Sequence, residues 1–291
     1  MDQIPLLLIN GLSWGMTVFL TAAGLSLVFG ILHVLNFSHG GFLMIGAYLS
    51  YAIGAWLQTE SLWGFLAIAL VCACAVGMLG AVVERFVFRR LKGVSEAYSL
   101  IATYALLILC QGVVKLIWGI DFLSVAPPAE LSGALAIGGF IAPSFILFVV
   151  VCGVAVFLAM DHVLHRTGVG KRVQAVAIDP AMAAWVGINV NAVFVWTVVA
   201  GFALAGLAGG LLSVNQSLSP EMGSALIIQA FGALIVGGLG NIRGAFLASV
   251  LLGLVTSFGD RLVPDVPGMF FFVALAVILL VRPQGLMRGM R

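Results

Sequence analysis

The stretch nearest to a reactive motif is Gly168-Val169-Gly170-Lys171-Arg172, because glycines ahead of a lysine are what a phosphate-cradling loop needs. It lacks the four-residue gap between glycines, the hydroxyl after lysine that would ligate magnesium, and the apolar strand leading in. ATP is not bound by that route. His33 and His39 are six apart, about 600° around a continuous helix, so they share no face and make a poor metal pair. They bracket a polar break, Asn36-Phe37-Ser38-His39-Gly40-Gly41, that either satisfies its own backbone or lines a solvated path. His162 and His165 stand beside Asp161 at a basic boundary, where solvated ends are the simpler reading than a metal site. Cys72, Cys74, Cys110 and Cys152 all lie in apolar runs and read as small buried hydrophobes. No Ser/His/Asp set, metal-protease motif or paired intramembrane carboxylate is present. Nothing here supports catalysis, a metal or a cofactor.

The elements that carry these residues are membrane elements. The chain has 291 residues, 63% hydrophobic and only 8% charged, with a mean hydropathy of +1.21. A soluble domain is nearer a quarter charged, so this chain has too little polar surface to cover itself in water. Between Asp2 and Glu60 there is no Asp, Glu, Lys or Arg, and several later runs are equally bare. Spans of about 20 apolar residues cross a bilayer as helix. The expected fold is an all-α polytopic membrane protein, one transmembrane domain over residues 1–291, with eight or nine transmembrane helices. Met1-Asp2-Gln3 lacks the basic leader of a cleavable signal.

Expected spans are two within 4–57, then 62–83, 98–118, 138–160, 192–214, 225–239, one ending near 258, and 268–281. Loops rich in Lys and Arg stay in the cytoplasm. With the Arg85–Lys92 run inside, alternation also places inside the Arg166–Arg172 stretch, Arg243 and the tail Arg282, Arg288 and Arg291. Of the 13 basic residues only Lys115 and Arg261 then lie outside. Asp2, Glu60, Asp121, Glu130, Glu221, Asp260 and Asp265 fall outside. The pattern fits nine crossings with the N-terminus outside, unless a Gly/Asn break is a re-entrant bend. The Asn36 stretch and Asn241-Ile242-Arg243-Gly244-Ala245-Phe246-Leu247 share Asn, Gly and Phe-Leu, through either an internal repeat or chance. Gly11/Gly15, Gly206/Gly210 and Ala233/Gly237 suit close helix packing, and the Gly201–Gly210 span is the stronger candidate for a mobile gate.

One long polar passage, 161–191, separates the apolar spans. Within it Asp179-Pro180 has the form of a helix start, with Asp as cap and Pro at the first helical position. Ala181 to Val186 suits a helix of under two turns, and Gly187 closes it in the left-handed conformation. So short a helix is marginal alone and needs a surface to lie on. A partner protein is implied.

Several motifs together resemble the permease subunits of bacterial ATP-binding-cassette importers for branched-chain amino acids and related small polar solutes. They are Gly24-Leu25-Ser26-Leu27-Val28-Phe29-Gly30, Asn36-Phe37-Ser38-His39-Gly40 and Met44-Ile45-Gly46-Ala47-Tyr48. Further along come Gly237-Gly238-Leu239-Gly240-Asn241 with Gly244-Ala245, and Arg282-Pro283-Gln284-Gly285-Leu286. Asp179-Pro180 with Ala183-Ala184 and Gly187-Ile188 resembles that family's loop against the ATPase. The resemblance implies coupling through Asp179, Pro180, Ala181, Met182, Ala184, Trp185 and Gly187. Ala181 stands where the family often has Glu, and Gln174 where it has a second Arg, so docking should lean on Met182, Trp185 and Val186. The resemblance also implies partners: two ATPase subunits that bind ATP and magnesium, a second permease (paralogue or copy), and an extracytoplasmic substrate-binding protein. The setting would be bacterial inner membrane lipid, with no nucleic acid. Asn36, Ser38, His39, Gly40 and Asn241 are the candidates to line the translocation path. The competing reading is an ion-coupled secondary transporter or channel acting without ATP, motivated by the breaks at Asn36 and Asn241. Against it, no Asp or Glu is expected at mid-span. The substrate is not legible: amino acids, urea, amides and small organic acids all fit.

Overall fold

A computed structural model describes residues 4–91, 93–137, 140–283 and 285–287. The expectations that fell on Met1-Asp2-Gln3, Lys92, the span start at Gly138, Gln284, Arg288 and Arg291 lie outside the described residues. Helices follow the apolar runs: α1 (Ile4–Leu32), α2 (Ser38–Leu57), α3 (Leu62–Leu91) and α4 (Glu96–Trp118). A hairpin of β1 (Ala134–Ile137) and β2 (Phe140–Pro143) follows. Then come α5 (Ser144–Arg166), α6 (Gly168–Ile178), α7 (Pro180–Trp185) and α8 (Val190–Leu212). The chain continues through α9 (Met222–Gly237), α10 (Ile242–Leu262) and α11 (Met269–Val281). Seven of these are long and apolar enough to cross a membrane, and α9 and α11 are shorter apolar helices. At 1.5 Å per residue the two short ones reach about 24 and 20 Å, less than the ~30 Å hydrocarbon core.

Three boundaries differ from the sequence reading. The third span does not stop at Val83 but runs to Leu91 through a π-turn at Glu84–Phe88. The turn buries Glu84 and sets Arg89 Nε 3.9 Å from its carboxylate. The fifth span begins at Ser144, because 134–143 pairs as an antiparallel hairpin with Ile137 opposite Phe140. The polar passage is mostly helical: its first residues finish α5, and α6 fills what the sequence suggested only as loop.

α1 is the central post, with 83% of its most apolar window buried against 22% for α4 and α5. It packs antiparallel to α10: Gly11 lies against Gly253 and Leu254, and Gly15 against Ser249 and Val250. α8 is enclosed by α1, α2 and α3. Gly206 and Gly210 meet Cys72, Val76 and Ala69 of α3, while Gly209 meets the α2 backbone at Leu43 and Ala47. Dispersion contact between closely approaching backbones holds such helices together where lipid removes the hydrophobic drive. The outward faces carry large apolar side chains, among them Ile101, Ile108 and Leu109 on α4 and Val151 and Leu158 on α5. In water those faces would be unsustainable; in a bilayer they are solvated.

Candidate functional sites

The first break lies inside the bundle. A Cβ on Gly24 would meet His39 Cε1 at 2.7 Å, so the first turn of α2 stands beside Gly24 of α1. α1 continues from Gly24 to Leu32, about 12 Å further. The chain therefore turns at His33 (φ 52°) and folds back into the bundle before α2 begins. Irregular backbone at membrane depth must be satisfied by protein. Thr103 of α4 does this, its Oγ1 accepting from Phe37 N at 3.3 Å. That hydroxyl can donate to the Leu35 carbonyl at 3.3 Å or to its own Leu100 carbonyl at 3.1 Å. Ser38 Oγ donates to Asn36 Oδ1 at 2.6 Å.

Asn36, Ser38 and His39 are all buried here, and Gly40 follows them in the first turn of α2. Among the described residues, the Asn36 side-chain amide nitrogen has no hydrogen-bond partner. The His39 ring is edge-on to Phe202 with centroids 6.0 Å apart; it points toward the Thr21 backbone, yet neither nitrogen closes a hydrogen bond of normal geometry. Asn241 is placed elsewhere, at the N-terminus of α10, where its Oδ1 accepts from Gly244 N at 3.1 Å. Its neighbour Ile242 packs with Phe19, Ala23, Met160 and Leu164 on another side of α1. The two Asn stretches thus differ in use, one a folded-back break and the other a helix cap.

A second irregular stretch, residues 213–221, joins the first. Ser213 Oγ lies 3.3 Å from Ser50 Oγ, past the midpoint of α2. Yet α9 opens beside the near end: a Cβ on Gly40 would lie 2.3 Å from the Gly223 carbonyl oxygen. From the level of Ser50 to that of Gly40 is about 15 Å along α2, so 213–221 descends that far into the bundle. Glu221, expected outside the membrane, comes with it and pairs with Lys115 Nζ at 2.8 Å. The signal was present in the sequence as the polar run Asn215-Gln216-Ser217-Leu218-Ser219-Pro220. Without knowing where α9 starts, it reads as an ordinary outer loop.

The 161–191 segment forms the other site. Asp179 Oδ1 accepts from Ala181 N and Met182 N, both at 2.9 Å, with Pro180 at the first helical position. Gly187 has φ +85°, and Gly187 N and Ile188 N donate to the Ala184 and Ala183 carbonyls at 3.0 Å. That is a left-handed closure of the kind glycine allows without strain. Ala183 is buried in one cluster with Val176 and Ala177 of α6 and Ile31, the penultimate residue of α1. The other side of α7 is open: Met182 is 61% exposed, Trp185 87% and Val186 70%, while Ala181 and Ala184 are exposed with them. Gln174 Nε2 donates to the Leu164 carbonyl at 2.8 Å, tying α6 to the end of α5. Arg243 holds Asp161 in a two-pronged ion pair, with Nη2 3.0 Å from Oδ2, so α5 is also tied to α10.

A bundle of apolar helices, two folded-back stretches at mid-depth and a capped helix at one end define a transport protein of the membrane-spanning permease class. The family described as "Branched-chain amino acid transport system / permease component" matches residues 7–282, and the chain belongs to that family. It is 31% identical over 291 residues to the high-affinity branched-chain amino acid transport system permease protein BraD of Pseudomonas aeruginosa, covering 96% of this chain and 94% of that protein. The LivH permease protein of the corresponding Escherichia coli K12 system is 30% identical over 289 residues, with 96% and 93% covered. The ribose import permease protein RbsC of E. coli K12 is 26% identical over 280 residues, covering 92% and 78%. The solved structure of PsaBC from Streptococcus pneumoniae in complex with Fab superposes with a TM-score of 0.50 at 16% identity, covering 94% of this chain and 89% of that chain, and supports the fold. The chain is therefore a multi-pass inner-membrane permease subunit of an ATP-binding-cassette importer, a class that works with ATPase and substrate-binding partners. The ion-coupled reading is not favoured.

Proposed function

We propose that this permease imports a small amino acid of the branched-chain type, and that 161–191 is the cytoplasmic segment through which two partner ATPases drive it. The observation that carries the reading is α7: capped at both ends, open on its Met182, Trp185 and Val186 side, and anchored by Ala183 in the cluster that holds the end of α1. A six-residue helix with that much exposed apolar surface is suited to a partner's groove. Movement of α7 would pass through Ile31 to the fold-back at 33–37, where Asn36, Ser38, His39 and Gly40 gather. A second permease, copy or paralogue, would supply the other wall of the path. ATP and magnesium would be bound by the ATPases, with no nucleotide site in this chain. The test is reconstitution in liposomes with the candidate ATPases, second permease and binding protein. Uptake of radiolabelled leucine, isoleucine or valine that requires ATP and loaded binding protein is the expected result. If loaded binding protein neither stimulates hydrolysis nor drives uptake of any amino acid, the proposal is wrong.

A further inference from the structure

Lys115 and Glu221 form an ion pair well away from either end of the bundle. Its level is set by neighbours along α2. A Cβ on Gly41 would lie 2.9 Å from Cys110 Cβ, and Tyr48 and Trp118 pack with ring centroids 5.3 Å apart. Lys115 lies on α4 between those two contacts. Beyond Tyr48, α2 runs on to Leu57, about 14 Å further, and on the other side α1 extends about 12 Å past the level of His39. The chain after α4 confirms the depth: it must climb from Trp118 until Ala129 N reaches the Glu60 carbonyl at 2.7 Å, beyond the end of α2. The pair is thus near the middle of the bundle's height.

It is also open. The Lys115 side chain is 43% exposed and Glu221 62%, on the side where α4 and the start of α9 face away from the core. Charged groups at mid-bilayer face a water-filled cavity or a protein partner, because exposure to acyl chains is too costly. Gln111, one turn before Lys115, lies on the same helix face and is half-buried. Tyr48, which packs on Trp118 at the end of the same helix, is fully buried, and its hydroxyl has no hydrogen-bond partner among the described residues.

We infer that Lys115 and Glu221 hold a zwitterionic α-amino acid in transit, its carboxylate toward Lys115 Nζ and its ammonium toward the Glu221 carboxylate. The inference rests on the importer reading above. At 2.8 Å the two groups neutralise each other when the site is empty. An entering zwitterion exchanges that one ion pair for two and leaves the net charge unchanged. A urea or a simple carboxylic acid cannot do this, since it carries no charge to match at least one member of the pair. Exchange of pairs also keeps the site weak enough to release its occupant, as a transport path requires.

The test uses the complete reconstituted complex with Cys72, Cys74, Cys110 and Cys152 replaced by alanine and S224C as reporter, beside Glu221 in the first turn of α9. A membrane-impermeant anionic methanethiosulfonate added from the binding-protein side should label the reporter, and millimolar L-leucine should slow labelling. In K115Q and in E221Q that protection should fall about tenfold in apparent affinity, the loss of one charged contact, while K115R and E221D retain most of it. Leucinamide, which lacks the carboxylate, should not protect. No labelling in a complex that transports, or protection unchanged by either neutralisation, overturns the site and leaves the importer reading standing. Absence of ATP-driven uptake in the parent complex strikes the importer reading itself.

Discussion

Gly187→Val attacks α7, the proposed coupling helix, without touching its exposed face. Gly187 sits at φ +85°, where a side chain with a branched Cβ costs about 1–2 kcal/mol. Nothing lies within 4 Å of a Cβ built there, so the effect is conformational and not a clash. Asp179→Ala opens the other end by orphaning the Ala181 and Met182 amides, for about 1 kcal/mol. Together the two changes weigh about 2–3 kcal/mol against a helix of six residues, a shift of about 30- to 150-fold in the formed fraction. The double variant should insert and assemble in normal yield, since α7 lies between the long spans and contributes only Ala183 to a buried cluster. Amino-acid uptake per ATP hydrolysed, measured in proteoliposomes, should fall tenfold or more. Gly187→Asn is the control, because Asn tolerates the left-handed region and should retain most coupling. Normal coupling in the double variant, or equal damage from Gly187→Asn, would refute the claim that the capped shape of α7 transmits the stroke.

Two further perturbations separate docking from folding. Trp185→Asp, at a side chain 87% exposed, should leave thermal stability within about 0.5 kcal/mol of the parent but prevent co-purification of the ATPases. Unchanged co-purification would remove Trp185 from the interface. Thr103→Val strips the Phe37 amide of its acceptor within the break and should lower stability by about 1–3 kcal/mol, with Thr103→Ser restoring it in a melting assay. Gly24→Val would push a side chain to within 2.3 Å of the Gly201 carbonyl and against His39, and should abolish the folded protein in size-exclusion chromatography.

The class of this protein was legible because lipid imposes a coarse rule: long uncharged runs become helices, and basic loops stay on one side. The α7 caps were legible for a local reason, since Asp179-Pro180 and Gly187 specify their own backbone geometry. Depth was not legible. Hydropathy treats a helix of 16 residues and one of 23 as similar spans, but α9 is too short to cross, and its start is fixed by contact of Gly223 with Gly40. That contact carries Glu221 from an assumed outer loop to the middle of the bundle; the polar run 215–220 marks an irregular stretch but not the depth at which it lies. Likewise Asn36 and Asn241 look alike as sequence but differ in use, because only the first has a Thr103 opposite to let the chain fold back. The hairpin at 134–143 was hidden differently, its apolar residues continuing smoothly into those of α5.

Whether α7 acts on the path through α1 turns on Ile31. Ile31 is 4% exposed and belongs to the cluster that unites Val176 and Ala177 of α6 with Ala183 of α7. The next residue ends α1, and the fold-back begins at His33. A stroke arriving at α7 can therefore reach 33–37 through a few packed side chains, provided that contact is tight enough to transmit displacement. Ile31→Ala removes three carbons there and should cost about 2–5 kcal/mol of packing, some of it recovered by local collapse. Ile68 is equally buried, also at 4%, but on α3, away from that cluster. Ile68→Ala is thus a matched loss of packing without a matched loss of connection. If α1 is the link, Ile31→Ala lowers uptake per ATP several-fold while ATPase association and hydrolysis persist, and Ile68→Ala lowers thermal stability with little change in that ratio. If the two variants lose coupling equally, the effect belongs to general stability and α1 is not the link. Unaltered coupling in Ile31→Ala would send the route elsewhere, to α8, whose Val193 and Phe194 pack on the same cluster, or to α10 through the Asp161–Arg243 pair.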